Sequence, residues 1–470
     1  MTSFAEADVI RGSLRSPSAR AGADPRLRSR VSVAILAACG FGLTLFVFYP
    51  GVMTYDARYV YQDIAAGFLG DWQSPVMTVL WSLIDPVAPG SASMFLLIAA
   101  LYWLGFGLLA VAVARRSVAL LLLALSPPAF VFAGIIWRDV LLGATWLLAS
   151  ALVFACAAGS GWRRLSAQAA ALVLLALGVM LRPNALVAAP VLAVYLIWPA
   201  QFSWRRTALV FVPAAAALFA LMQVTYYGVL GAERQNVHHA LFVYDLGGIT
   251  HFTQQNQFPV AWSARETEML IRDCYAPTEW DVYRSEPCEF VMERLKSEEL
   301  FGSSVLTRAW LRAIASHPLA YLQHRGALTW NFLAGENFTM WTMDLDDQSK
   351  IQLGGRAPFA ALIAIHDALK PTPLFRVGTW LVICLALCAL AWRRRATCEG
   401  AFALGVCGSA AVYVLSYAAL GVGSDFRYAY WAVLASMAGS VVMMSRGLQE
   451  RGAEIDMRMV PRGGIEPPTP

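Results

Sequence analysis

The sequence predicts an all-α polytopic membrane protein with about ten transmembrane helices, an amphipathic first loop on the outer face and a large periplasmic loop. The chain of 470 residues is 58% hydrophobic and only 14% charged, with a mean hydropathy of +0.55, whereas soluble proteins average about 25% charged residues. Apolar segments long enough to cross a hydrocarbon core of about 30 Å recur along the chain. Basic residues fall on alternate connections, as they do in short cytoplasmic loops. The net charge of +5 is small and dispersed, so no nucleic-acid partner is expected.

The first element is a cytoplasmic basic segment that leads directly into a span. Residues 1–30 contain six arginines, and the apolar stretch 31–48 that follows ends at Tyr49-Pro50-Gly51. A secretory signal has a shorter apolar core and a small-residue cleavage site. We therefore expect 31–48 to be an uncleaved first span that starts in the cytoplasm.

Nine further apolar segments complete the predicted set of spans. They lie at 91–114, 117–136, 140–159, 166–181, 184–199, 207–226, 372–392, 400–420 and 428–445. The predicted domains are an N-terminal transmembrane module of about seven spans (31–226) with a first periplasmic loop (50–90), a large periplasmic loop (227–371), a C-terminal module of about three spans (372–445) and a cytoplasmic tail (446–470). The cytoplasmic connections are marked by Arg115-Arg116, Arg163-Arg164, Arg205-Arg206, Arg393-Arg394-Arg395 and Arg446. Both termini are then cytoplasmic.

The composition and the large loop give two further expectations. A chain rich in Ala and Arg with only three lysines is typical of a GC-rich bacterial genome, so the membrane is expected to be the bacterial inner membrane. Cys274 and Cys288 both lie in the large loop, where an oxidising periplasm permits a disulfide. The sequence is compatible both with a disulfide between these two cysteines and with two unpaired cysteines. Val305 to Leu322 has apolar residues near helical spacing, which predicts an amphipathic stretch on the membrane surface or over a cavity.

Polar residues near the ends of the spans concentrate on the predicted outer face. Ionisable groups at a membrane boundary cost several kcal/mol unless they are paired, solvated or used in function. Their convergence at one level predicts a water-filled cavity that handles a charged ligand, although each residue taken alone is also explained as a loop residue near water. The set comprises Asp56, Arg58, Asp63, Asp71, Arg138, Asp139, Arg182, Asn184, Asp245, Arg325, Asp425 and Arg427.

Several short motifs on this face occur in a familiar order. Asp56 follows the first span and precedes a Tyr-rich stretch, after which comes Gly70-Asp71-Trp72-Gln73-Ser74-Pro75. The later motifs are Trp137-Arg138-Asp139, Leu181-Arg182-Pro183-Asn184, His317 to Arg325, and Asp425-Phe426-Arg427-Tyr428. With this set, which spreads over most of 31–445, the chain resembles the GT-C-type integral-membrane glycosyltransferases. That superfamily includes protein O-mannosyltransferases and the lipid A aminoarabinose transferase.

The resemblance implies transfer of a sugar from a polyprenyl-phosphate carrier to a lipid, glycan or protein acceptor of the envelope, with inversion, at the periplasmic face. Asp56 matches the family's catalytic carboxylate and is expected to be the general base; the alternative is a helix N-cap before Tyr59 to Ala66. Asp139 is the candidate second carboxylate.

The candidates for binding the donor phosphate are Arg182, Arg427, Arg138 and Arg325, because a guanidinium offers a planar fork of donors. Tyr55, Tyr59 and Trp72 are candidates for lining the substrate site, or anchors in the interface.

Three questions stay open from the sequence. Asp56 is followed by Ala57-Arg58 and not by a second acidic residue, so no cofactor is implied with certainty and use of a divalent metal, Mg²⁺ or Mn²⁺, is open. A transporter or flippase of lipid-linked saccharides would also need a polar cavity, although its binding residues are expected near the bilayer midplane. An O-antigen polymerase or ligase shares the late, large outer loop.

Overall fold

In a computed structural model of the protein, the structure describes residues 25–113, 117–157, 161–335, 353 and 355–459. Most of the predicted basic segment 1–30, Arg115-Arg116 and the end of the predicted tail lie outside these residues. The described chain is helical and contains no strand beyond isolated bridges. Its α-helices are α1 Pro25–Phe48, α2 Tyr55–Ala66, α3 Pro75–Ile84, α4 Ser91–Val113, α5 Ser117–Ala124, α6 Pro127–Phe130, α7 Arg138–Cys156, α8 Trp162–Leu181, α9 Ala189–Ile197, α10 Trp204–Gln223, α11 His239–Thr253, α12 Ala264–Arg272, α13 Phe290–Ser297, α14 Ser304–Ser316, α15 Pro318–Ala334, α16 Ala357–Leu369, α17 Val377–Trp392, α18 Cys398–Leu420 and α19 Tyr430–Met459.

Seven of the described helical segments are long and apolar enough to cross a membrane. They are Arg30–Phe48, Ser91–Val113, Arg138–Cys156, Trp162–Leu181, Trp204–Val229, Cys398–Leu420 and Phe426–Ser445. The pair Ser117–Ala124 and Pro127–Gly134 forms an eighth only if its 59° bend is one broken span. The protein is therefore an all-helical multi-pass membrane protein by the length and composition of these helices, and the count of about ten stays a prediction.

Three predicted spans do not form one straight helix long enough to cross a membrane, because they are bent or shortened. Within 117–136 the helix breaks at Ser126, because Pro127 and Pro128 cannot continue the hydrogen-bond ladder of the preceding turn. The segment 184–199 consists of a 3-10 turn, Pro183–Val187, and the nine-residue α9. The segment 372–392 contains the sixteen-residue α17. Hydropathy alone does not reveal such breaks.

The transmembrane helices pack around one hydrophobic core in which small residues allow close approach. The ring of Trp146 in α7 lies against Gly178 in α8, where an added Cβ would be 2.1 Å from Nε1. That indole also donates a hydrogen bond to the Leu175 carbonyl at 3.2 Å. Glycine at helix contacts permits such packing in membranes, where apolar surface gives no preference for protein over lipid.

Helices α11 to α15 build a second, separate core within the predicted large loop. Val243, Leu246, Leu270 and Leu295 are fully buried there. A disulfide joins Cys274 and Cys288, whose Cα atoms are 5.5 Å apart. The stretch Val305 to Leu322 is two helices, α14 and α15, that break at His317 because Pro318 starts the second one.

Candidate functional site

The ends of several helices converge on a cavity of about 420 Å³. Four parts of the chain supply its walls: the start of α2, the residue before α7, the loop around residue 280, and the connection from α18 to α19. The lining residues are Thr54, Tyr55, Asp56, Trp137, Thr278, Glu279, Trp280, Asp281, Val422, Gly423, Ser424, Asp425, Arg427 and Tyr428. The cavity therefore joins the first loop, the large loop and the C-terminal module.

Arg427 is the cationic group of this lining. Its Nη1 lies 2.8 Å from Asp56 Oδ2, and its Nε lies 3.1 Å from Asp425 Oδ2. The guanidinium stacks over the indole of Trp137, with 4.5 Å between its central carbon and the ring centroid, an arrangement that stabilises a cation. Asp425 also accepts a hydrogen bond from the backbone N–H of Arg427 at 2.9 Å, which fixes the turn that carries the arginine.

Asp56 faces the cavity from the first turn of α2. The helix begins at Tyr55, and the side chain of Thr54, not of Asp56, caps it by accepting from the Ala57 N–H at 3.3 Å. Burial by itself raises the pKa of the Asp56 carboxyl, but the charges of Arg427, Arg138 and Arg182 hold it below its ordinary value of 3.8. Asp56 is therefore ionised at neutral pH.

A second charged pair is outside the cavity lining, although the charge of its arginine acts on Asp56. Arg182 Nε is 2.7 Å from Asp139 Oδ1, and the Asp139 side chain is only 4% exposed. Arg182 also stacks on the ring of Tyr428 at 4.9 Å, and Tyr428 stacks on Tyr417 with centroids 5.2 Å apart. The structure thus uses Asp139 to neutralise Arg182 and does not bring it to the cavity surface as a second carboxylate.

Of Arg138, Trp72, Tyr55 and Tyr59, only Tyr55 lines the cavity. Arg138 Nη1 donates to the Trp72 carbonyl at 3.3 Å, and the Trp72 ring packs on Trp280 with centroids 5.7 Å apart. Neither Arg138 nor Trp72 is in the lining, although the charge of Arg138 reaches Asp56. Tyr55 lines the cavity, whereas Tyr59 is exposed outside it.

Arg325 lies elsewhere, in the core of the large loop. Its side chain is 5% exposed and forms an ion pair with Asp245, and its Nη1 donates to the Gly421 carbonyl at 2.6 Å. It borders a separate apolar groove of about 520 Å³ between α15 and α18. The structure therefore does not bring Arg325 together with the other predicted phosphate ligands.

The large loop contributes acidic groups that sequence reasoning missed. Asp281 and Glu279 line the cavity more than 220 positions after Asp56. The Asp281 side chain is 54% exposed, and its Oδ1 lies 3.3 Å from Arg284 Nη1. No sequence pattern marked these residues, because their approach depends on backbone hydrogen bonds from Trp280 N–H to the Val422 carbonyl at 2.9 Å and from Ser424 N–H to the Thr278 carbonyl at 2.8 Å.

The described residues contain no preformed metal site: among them, no group of three or more His, Cys, Asp or Glu side chains is arranged to hold an ion. Use of Mg²⁺ or Mn²⁺ stays open. His239 of the large loop is buried, and its Nδ1 accepts a hydrogen bond from the Gly302 N–H at 3.1 Å.

Comparison of the chain with protein-family models, with curated proteins and with solved structures finds no match in any of the three. The resemblance to GT-C-type enzymes therefore depends on the motifs and their placement alone.

Proposed function

We propose that this protein is a membrane glycosyltransferase. It moves a sugar from a polyprenyl-phosphate donor to a lipid, glycan or protein acceptor, with inversion, at the periplasmic face of the bacterial inner membrane. The observation that carries the proposal is the ion pair of Asp56 and Arg427, 371 positions apart, in the wall of a cavity at the helix ends. A carboxylate and a guanidinium in one cavity match the two needs of the reaction, proton removal and stabilisation of a phosphate leaving group.

The donor phosphate competes with Asp56 for Arg427. The guanidinium has a planar fork that suits phosphate oxygens, and two carboxylates occupy it in the structure. When the phosphate binds, Arg427 turns part of this fork to it. Asp56 then loses its closest positive charge, and its pKa rises, while the charges of Arg138 and Arg182 continue to lower it. Donor binding thereby converts a weak base into a stronger one.

The transfer step follows from this exchange. The acceptor oxygen forms a bond to the anomeric carbon while the bond from that carbon to the phosphate oxygen breaks. The acceptor proton goes to the Asp56 carboxylate, and the bonding electron pair leaves with the polyprenyl phosphate, whose charge Arg427 stabilises. Arg138 and Arg182 add positive potential at Asp56 without being in the lining.

The lipid surroundings fit a lipid-linked donor. The apolar helix Trp204–Val229 is only 6% buried inside the protein, which leaves most of its surface available for contact with lipid.

The orientation is tested by fusions to alkaline phosphatase, which is active only in the periplasm. We expect activity for a fusion near Tyr275 and none near Arg394; the opposite result would move Asp56 to the cytoplasm and remove the proposed mechanism.

The decisive experiment measures sugar transfer by purified protein from a panel of radiolabelled polyprenyl-phosphate sugars to a membrane extract. Asp56→Asn keeps the size of the side chain and removes the base, so we expect a loss of about 10²-fold or more. Asp63→Asn is the matched control, because Asp63 lies in the same helix outside the cavity lining. Equal activity of both variants would refute the role of Asp56. Donor movement across vesicles without transfer would support a transporter instead, and transfer of whole glycans would indicate a polymerase or ligase.

A further inference from the structure

Asp245 is a fully buried carboxylate in the core of the large loop, and two neighbouring helices supply its partners. It lies on α11 with 0% exposure. Trp310 on α14 donates from Nε1 to Oδ2 at 2.7 Å, and His324 Nε2 on α15 lies 3.3 Å from Oδ1. Arg325, the next residue on α15, provides the ion pair. A buried carboxylate requires such compensation, so this cluster fixes Arg325 with respect to the loop core.

Arg325 reaches from this cluster to the connection between α18 and α19. Its Nη1 donates to the carbonyl of Gly421 at 2.6 Å. Gly421 is the C-cap of α18 and begins the five-residue segment that ends at Asp425. Residues Val422 to Asp425 of that segment line the cavity. The arginine therefore holds one end of a cavity wall although it does not itself touch the cavity.

The other end of this segment sets the position of Arg427. Asp425 accepts from the backbone N–H of Arg427 at 2.9 Å and pairs with its Nε at 3.1 Å. Between the two ends, Ser424 is attached by its backbone N–H to the Thr278 carbonyl at 2.8 Å. A shift of the Gly421 carbonyl would thus be passed to Asp425 and to the guanidinium it orients.

We propose that Arg325 is a positioning residue: anchored by Asp245, it holds the segment Gly421–Asp425 so that Arg427 is aimed into the cavity. This inference rests on the proposed function for its catalytic consequence, but the anchor itself is a structural statement that can be tested without activity. It also gives Arg325 a role different from the phosphate ligand that the sequence suggested.

The substitution Arg325→Lys tests the two-point anchor separately from the positive charge. Arginine contacts Asp245 through Nη2 and Gly421 through Nη1, two donors in one rigid plane. A lysine ammonium keeps the charge next to Asp245 but lacks the planar fork needed to serve both acceptors. The matched control is Arg308→Lys, on the exposed face of the neighbouring α14. A milder second variant, Trp310→Phe, removes one donor to Asp245 and leaves both charges in place.

Hydrogen–deuterium exchange tests the anchor first. We expect Arg325→Lys to accelerate exchange of the amides at 421–428 and at 278–281, Trp310→Phe to do so more weakly, and Arg308→Lys to leave both segments unchanged. Unchanged exchange in folded Arg325→Lys would overturn the proposal.

A double-mutant cycle in the transfer assay tests the consequence. If Arg325 acts through Arg427, then Arg325→Lys lowers transfer about 10-fold in the wild-type background. In the Arg427→Lys background it lowers transfer less than about 2-fold, because the guanidinium that Arg325 positions is already lost. Equal losses in both backgrounds would show a general structural effect and overturn the positioning role. If the wild type transfers no sugar, the proposed function fails, and hydrogen exchange still decides the anchor.

Discussion

The coupling between Asp56 and Arg427 can be measured by a double-mutant cycle with Asp56→Asn, Arg427→Met and the double variant. The two side chains are 39% and 16% exposed, and their atoms are 2.8 Å apart. Hydrogen bonds to charged groups contribute about 1.5–3 kcal/mol when shielded, and exposed ion pairs about 0–1 kcal/mol. Because Asp56 is more than one-third exposed to solvent, we expect a coupling free energy of about 1–1.5 kcal/mol in unfolding.

The assay is equilibrium unfolding of the four proteins in detergent micelles, followed by tryptophan fluorescence. Arg272 and Glu268 form a control pair with the same 2.8 Å separation but 71% and 62% exposure, for which we expect a coupling of about 0.3–0.5 kcal/mol. Sugar transfer is measured on the same samples, and loss of the Arg427 donor should lower it about 10²–10³-fold. If the Asp56 and Arg427 effects on unfolding add within about 0.3 kcal/mol, the pair is not coupled and the argument for an exchange with phosphate is refuted.

Three further predictions concern stability. Arg182→Met leaves the buried Asp139 carboxylate without its ion-pair partner, so the free energy of unfolding should fall by about 3–5 kcal/mol, and a loss below about 1 kcal/mol would contradict this account. Burial, and secondarily the charge of His238, lowers the pKa of His239 from 6.5 to about 4. Between these two pH values the folded state binds fewer protons than the unfolded state, so stability should fall as pH drops from 6.5 towards 4. His239→Gln should therefore flatten a pH series of unfolding midpoints. Cys274→Ser opens a disulfide that spans 14 positions, which should cost about 3 kcal/mol, and dithiothreitol should destabilise the wild type but not the variant.

The fold class followed from the sequence because hydropathy is a local property. Each apolar stretch of sufficient length must form a helix in lipid, where no water satisfies the backbone. The predicted spans at 31–48, 91–114, 140–159 and 400–420 therefore agree closely with long helices. Hydropathy did not reveal the bend where two prolines divide the apolar run at 117–136, since the composition there remains apolar while the axis bends by 59°.

The site was only partly predictable, because a charged residue near a helix end does not specify its partner. Asp56 and Arg427 were identified as members of one polar face, and the structure brings them into contact. Asp139 is equally close to a helix start, yet the packing of α7 against α8 turns it towards Arg182. Asp281 had no motif at all, since its place in the lining depends on the fold of the large loop.

The sequence by itself therefore determined that the chain is helical, that it crosses a membrane several times, and which residues are polar near the ends of the spans. The tertiary structure decided which of these residues meet. The physical reason is that hydropathy and charge act within a segment of some 20 residues, whereas the pairing of Asp56 with Arg427 spans 371 positions and depends on how the helices pack. The same packing places Arg325 against Gly421 instead of in the cavity.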